Sequence, residues 1–361
     1  MGRIGLPIDI AKVAVLQASG DAASATASAT SNKLTSFHCS KKWFEFCPVW
    51  GAELEKPITE MLSAFLFSFF AIFVQMKHHF GDLLDRTDSY WTMVPNRERY
   101  AYAANIDIAD KNDVKILTIS KDHANWEQVF KCPNIEELTL HNPSAEQVDK
   151  IQQLKSLKRL RVTFFRAKNI DFVEALYNLE EIVFEYVSGF SDLSPLQKLP
   201  KLRSLHLENL RRVSNFNGLI GINSLKYLHI DGTLDWNQPI ENFLFLAGLR
   251  NLEVFSLRFV TSNADFPAFL PIVDLKNLKK INIGRATFKT NEYAFLQVAL
   301  PQVDGIEWDL CWDYNDNFEF LGKRAGFVKK NNPNAKERCD AFVDLYNKMK
   351  TEAGEIVKKH K

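Results

Sequence analysis

Through the middle of the chain the apolar positions fall in a recurring frame: a polar residue, an apolar anchor, then an apolar–polar–apolar triplet. It reads Asn134-Ile135…Leu138-Thr139-Leu140, Ser156-Leu157…Leu160-Arg161-Val162, Asn178-Leu179…Ile182-Val183-Phe184 and Lys201-Leu202…Leu205-His206-Leu207. It continues as Ser224-Leu225…Leu228-His229-Ile230, Asn251-Leu252…Phe255-Ser256-Leu257, Asn277-Leu278…Ile281-Asn282-Ile283 and Gln302-Val303…Ile306-Glu307-Trp308. The anchors at 135, 157, 179, 202, 225, 252, 278 and 303 stand 22 to 27 residues apart, and Val114…Leu117-Thr118-Ile119 adds a unit in front. Alternation with a period of two predicts a short strand with one buried face in every unit. So short a unit cannot bury that face alone, so the units must stack, strands in parallel and return segments behind them. Of the returns, 145–154 and 243–249 carry a helical pattern, and 192–196 reads as a turn with a short 3₁₀ segment.

These residues resemble the leucine-rich repeat superfamily, whose unit is roughly 20–29 residues long. The resemblance covers 112–310 and implies an α/β solenoid, a curved parallel-sheet array of about nine units. It also implies a non-enzymatic scaffold that takes a protein or peptide on its concave face, without a cofactor. One position departs from the family. The usual Asn or Cys three residues after the last leucine gives way to Pro143, Phe165, Val187, Leu210, Thr233, Val260 and Ala286. A regular Asn ladder there is excluded, and apolar side chains are expected to pack at several turns instead.

An open end would expose the core of such an array, so the terminal units need caps. Pro333-Asn334 fits a helix start, and Ala341, Phe342, Leu345, Tyr346 and Met349 then share one face of a predicted capping helix. The sequence divides into four parts: 1–36, 37–95, the repeat domain with its N-terminal cap over 96–321, and the capping helix with a basic tail over 322–361. Residues 1–36 are expected to be disordered, since 18–36 is rich in Ala, Ser and Thr without a pattern. Leu6-Pro7, Asp9-Ile10 and Ser40-Lys41-Lys42-Trp43 resemble the opening and closing of an F-box over 6–46, the mark of a ubiquitin-ligase substrate receptor, although the middle matches poorly. Met61 to Met76 has no charge and holds five phenylalanines, so the helix expected over 58–76 is a membrane anchor, a helix buried against the first repeat or a hydrophobic partner surface. The repeat domain is expected in the cytoplasm, and the basic Lys77, His78 and His79 keep it there if 58–76 spans a membrane.

Composition removes several function classes. The chain of 361 residues is 46% apolar and has a net charge of +1, with no basic excess to attract nucleic acid. Its five cysteines, at 39, 47, 132, 311 and 339, lack the C-x-x-C spacing of a zinc or redox site. No phosphate loop, H-E-x-x-H or G-x-S-x-G is present. Asp313-Tyr314-Asn315-Asp316-Asn317 opens like a calcium loop, but Phe318 stands where Gly is needed and Arg324 where Glu is needed. No catalytic, cofactor or metal residue is therefore assigned.

The alternation does place candidate contact residues, because side chains beside the inward leucines point to the other face of the sheet. One expected column runs Thr118, Thr139, Arg161, Val183, His206, His229, Ser256, Asn282 and Glu307, and its neighbour contains Glu185, Glu208, Asp231 and Arg258. Adjacent strands lie about 4.8 Å apart, so Glu185, Glu208 and Asp231 form an acidic row beside His206 and His229, with Tyr227 next to them. Stacked carboxylates favour a cationic neighbour, as a partner's Lys or Arg would supply. The candidate partner-binding residues are Arg161, Glu185, His206, Glu208, Tyr227, His229, Asp231 and Arg258. A catalytic His/carboxylate cluster is the less favoured alternative, because a flat row does not converge on a point.

Overall fold

A computed structural model describes residues 101–360. The F-box-like segment over 6–46 and the apolar helix expected over 58–76 lie outside them. The repeat frame becomes one parallel sheet of nine strands: β1 Ala101–Ala103, β2 Ile116–Ser120, β3 Glu137–His141, β4 Arg159–Thr163, β5 Glu181–Glu185, β6 Ser204–Glu208, β7 Tyr227–Asp231, β9 Val254–Arg258 and β11 Lys280–Ile283. A short pair, β8 Gln238–Ile240 with β10 Val260–Ser262, lies in the turns that leave β7 and β9. Eight strands coincide with predicted triplets, and β1 precedes them on the N-terminal side. The triplet at Ile306 makes no strand. It contributes one bridge, Lys280 to Asp304, before Gly305 (φ +85°) turns the chain away, and a side chain at 305 would collide with the Ile281 carbonyl.

Leu138, Leu140, Leu160, Val162, Leu205 and Leu207 point to a single continuous core. Its other wall is the helical returns: 3₁₀ turns such as Asp171–Ala175, Ser194–Lys198 and Leu244–Gly248, and the helix α1 Ala145–Lys150. Ser144 starts α1 with a capping box, its hydroxyl accepting from the Gln147 N–H while the Gln147 side chain accepts the Ser144 N–H. The polar residue that opens each frame also has a job. Asn134, Asn178, Asn251 and Asn277 donate side-chain N–H bonds of 2.8–3.0 Å to a carbonyl of the preceding unit, and Ser224 donates its hydroxyl to the Leu202 carbonyl. The excluded Asn ladder is thus replaced by one just ahead of the anchors.

At the strand exits, Pro143, Val187, Leu210 and Val260 are buried, as the apolar substitutions imply. In two units a buried glutamine satisfies backbone groups of the turn. Gln128 accepts the Ile108 N–H and donates to the Ile106 carbonyl, while Gln238 accepts the Leu210 N–H and donates to the Val213 carbonyl. The residue directly after the strand turns left-handed in five units: Asn142, Phe164, Tyr186, Asn209 and Phe259, with φ between 45° and 55°. Asn tolerates that conformation, whereas an aromatic residue there costs about 1 kcal/mol.

Beyond the last unit stand helix α2 Thr290–Ala299, an antiparallel sheet of β12 Cys311–Tyr314, β13 Asn317–Phe320 and β14 Phe327–Lys329, and helix α3 Ala335–His360. The Asp313-to-Asn317 segment is the β12–β13 hairpin, with Asn315 at φ 48° in its turn. Helix α3 closes the core: Phe342 stacks on Phe320 at 4.6 Å, and the Tyr346 hydroxyl donates to Gln297 Oε1 at 3.1 Å. Its buried face is Ala335, Phe342, Tyr346, Ala353 and Val357, so it is rotated from the predicted one, and Ala341 and Leu345 are exposed. The helix also runs on to His360, through the residues expected as a tail.

Candidate functional site

Strand register puts the predicted columns side by side on the sheet face opposite the returns, called here the front face. Glu185 pairs with Glu208, Glu208 with Asp231 and Asp231 with Arg258, while His206 pairs with His229 and Ser204 with Tyr227. Direction was legible in the sequence; exposure was not. Arg161, His206, His229 and Asp231 are buried, Glu185, Glu208 and Tyr227 half-buried, and Arg258 alone among the eight is exposed, at 44% of its side chain. Alternation fixes which way a side chain points, not how much water reaches it.

The row is also less acidic than it looked. Arg161 reaches across β5 to Glu185, its Nε 2.8 Å from Oε2. Asp231 Oδ2 accepts from Arg258 Nη2 at 2.8 Å and lies 3.0 Å from His206 Nε2. Burial opposes the Asp231 carboxylate, but His206 and Arg258 outweigh it and hold the group below its ordinary value. Burial likewise opposes a charged His206, and Asp231, with Glu185 and Glu208 beyond it, lifts the imidazole above its usual range. Glu208 differs: burial first, then Glu185, push its carboxyl up, and the carboxylate pairs with no described residue.

A second charged row lies nearer the strand starts, in the column that the alternation gives to Arg159, Glu181, Tyr227 and Lys280; its ion pairs were not legible. Arg159 bonds Glu137 at 3.1 Å and Glu136 at 3.3 Å, and Arg203 bonds Glu181 while standing 6.0 Å over the Tyr227 ring. The signal was present, since an acidic residue at one strand start faces a basic one in the next unit, but only register shows it.

Donor atoms of His206, Glu208 and Asp231 lie within 4.8 Å of one another. The flat-row expectation is corrected there: His206 leans from β6 toward Asp231 on β7, so the groups do converge. Chemically they could ligate a divalent cation, but the Asp231 oxygen they share already holds the Arg258 guanidinium.

One strand per 22-to-27-residue unit, parallel register throughout and a single core between sheet and returns decide the architecture. Over these residues the chain is an α/β solenoid of stacked repeats. No protein-family model matches it, and no curated protein does. Solved structures similar to this solenoid include internalin C2 of Listeria monocytogenes, with 23% identity over 48% of this chain and 72% of that one (TM-score 0.35). Internalin InlF of the same organism has 21% identity over 55% of this chain and 62% of that one (TM-score 0.36). TLR13, solved in complex with ssRNA13, has 18% identity over 54% of this chain and 31% of that one (TM-score 0.39). Among the described residues of the solenoid no helix is long and apolar enough to cross a membrane.

Proposed function

We propose that this solenoid is a non-enzymatic recognition scaffold that takes a protein partner on its front face. The observation that carries the reading is the in-register row Glu185, Glu208, Asp231 and Arg258. Its charges are held in place by Arg161 and His206, so a partner meets groups that are already ordered and little entropy is lost on docking. Arg258 and the half-buried Glu208 and Tyr227 supply the accessible contacts, and the rest position them. A mixed row of this kind favours a polar, partly wet interface. A nucleic acid is the less suited ligand, because its phosphates would meet the half-buried Glu208 carboxylate.

The test is partner capture from native lysate by the full chain and by the double variant Tyr227→Ala with Arg258→Gln. Both changes truncate accessible side chains and leave His206 on Asp231. Capture is expected to fall about tenfold or more, with the melting temperature within a few degrees of wild type. A double variant that retains its partner in full overturns the reading.

A further inference from the structure

The left-handed strand exits carry strain that the fold does not require. Asn142 and Asn209 make the same turn with the residue type that tolerates it, so the turn does not call for a ring. Phe164, Tyr186 and Phe259 take it nonetheless, and each leaves much of its side chain in water: they are 49%, 39% and 46% exposed. Phe164 and Tyr186, from neighbouring units, stack at 4.9 Å with 18° between their planes, and His141 meets Phe164 edge-on at 5.6 Å. Three units thus build an aromatic row along the rim of the front face, with Tyr186 as its last ring.

The charge around Tyr186 is negative. Glu185 precedes it in sequence, the Glu208 carbonyl accepts its backbone N–H at 2.9 Å, and Asp235 lies within electrostatic reach. Arg161 neutralises Glu185, while the Glu208 carboxylate has no such partner among the described residues. We propose that Tyr186, backed by Phe164 and flanked by Glu208, anchors an arginine of an extended basic segment in a protein partner. The inference rests on the front-face reading above and names one anchor for it. A guanidinium plane stacks on an aromatic face and donates a charge-assisted bond to a carboxylate, which a lysine ammonium does with less geometric match. Nucleobases also stack on exposed rings, but the Glu208 and Asp235 carboxylates near the stack repel their phosphates.

The test titrates labelled dodecapeptides into the full chain, identical except that every third residue is arginine, lysine, citrulline or glutamate, alongside a single-stranded dodecanucleotide. The arginine peptide binds, the lysine peptide binds several-fold more weakly, and the other two and the oligonucleotide do not. Phe164→Asn and Tyr186→Asn install the residue already used at 142 and 209, so the melting temperature is not lowered. Each cuts affinity for the arginine peptide about tenfold, and Glu208→Gln does so without touching the rings. The proposal is overturned if no peptide binds, if citrulline or the oligonucleotide matches arginine, or if Tyr186→Asn binds undiminished. It is also overturned if sedimentation shows a dimer that Tyr186→Asn dissolves, since the rim would then seat a second copy. If the Tyr227/Arg258 double variant loses its captured partner but Tyr186→Asn keeps it, the front-face reading stands and the arginine anchor falls. If the arginine peptide behaves as stated while that double variant keeps its partner, the front-face reading falls.

Discussion

Asp231 is the residue on which the front face turns, since one oxygen serves both His206 and Arg258. Its carboxyl lies below its ordinary value, so its contribution to stability is present above about pH 4 and is lost as pH falls through the lowered value. The raised His206 works the other way: its contribution is complete below about pH 6.5 and disappears as pH rises through the raised value. Glu208, also raised, adds a cost as it ionises. The three directions agree on a stability maximum in mildly acidic solution. Melting temperature at fixed ionic strength is expected to decline between about pH 6 and pH 8.5 and to flatten in His206→Gln; an unchanged slope in that variant removes the assignment. Asp231→Asn leaves Arg258 and His206 facing a neutral amide and is expected to cost about 3 kcal/mol in denaturant unfolding.

At the scale of the element, each turn finds its own partner for buried backbone groups. Gln238, 1% exposed, serves Leu210 and Val213 across the turn that leaves β6. Gln238→Ala strands those groups and is expected to cost about 2 kcal/mol, read as a lower denaturation midpoint with an unchanged slope. The strands themselves were legible because period-two alternation is a local signal, and the missing Asn correctly announced apolar turns. The glutamines were not legible, because no fixed offset links Gln128 or Gln238 to the turn it serves. Likewise the buried state of Arg161 and His206 depends on what neighbouring strands place beside them, which no single unit encodes. The hairpin of β12 and β13 escaped for another reason: outside the repeat frame, its alternation is too brief to stand out.

At the scale of the molecule, the core is a single body that must be sealed at its C-terminal end. Helix α3 does this through Phe342, Tyr346, Ala353 and Val357, laid against α2 and β13. Tyr346 is fully enclosed, and Tyr346→Ala is expected to cost about 3 kcal/mol. Hydrogen exchange should then show protection lost first in α2 and β11 and last in the central strands, since each unit touches only its neighbours. Uniform loss along the array would show that the cap does not act locally.

The amides ahead of the anchors also give the array a direction in time. Asn178 closes on Lys155, Asn251 on Asn223 and Asn277 on Arg250, each reaching back to a unit synthesised earlier. At these three amides a nascent chain therefore presents a new donor to an acceptor that already exists. For these bonds order of synthesis and order of closure coincide, and α3, which follows every repeat in the chain, completes the core.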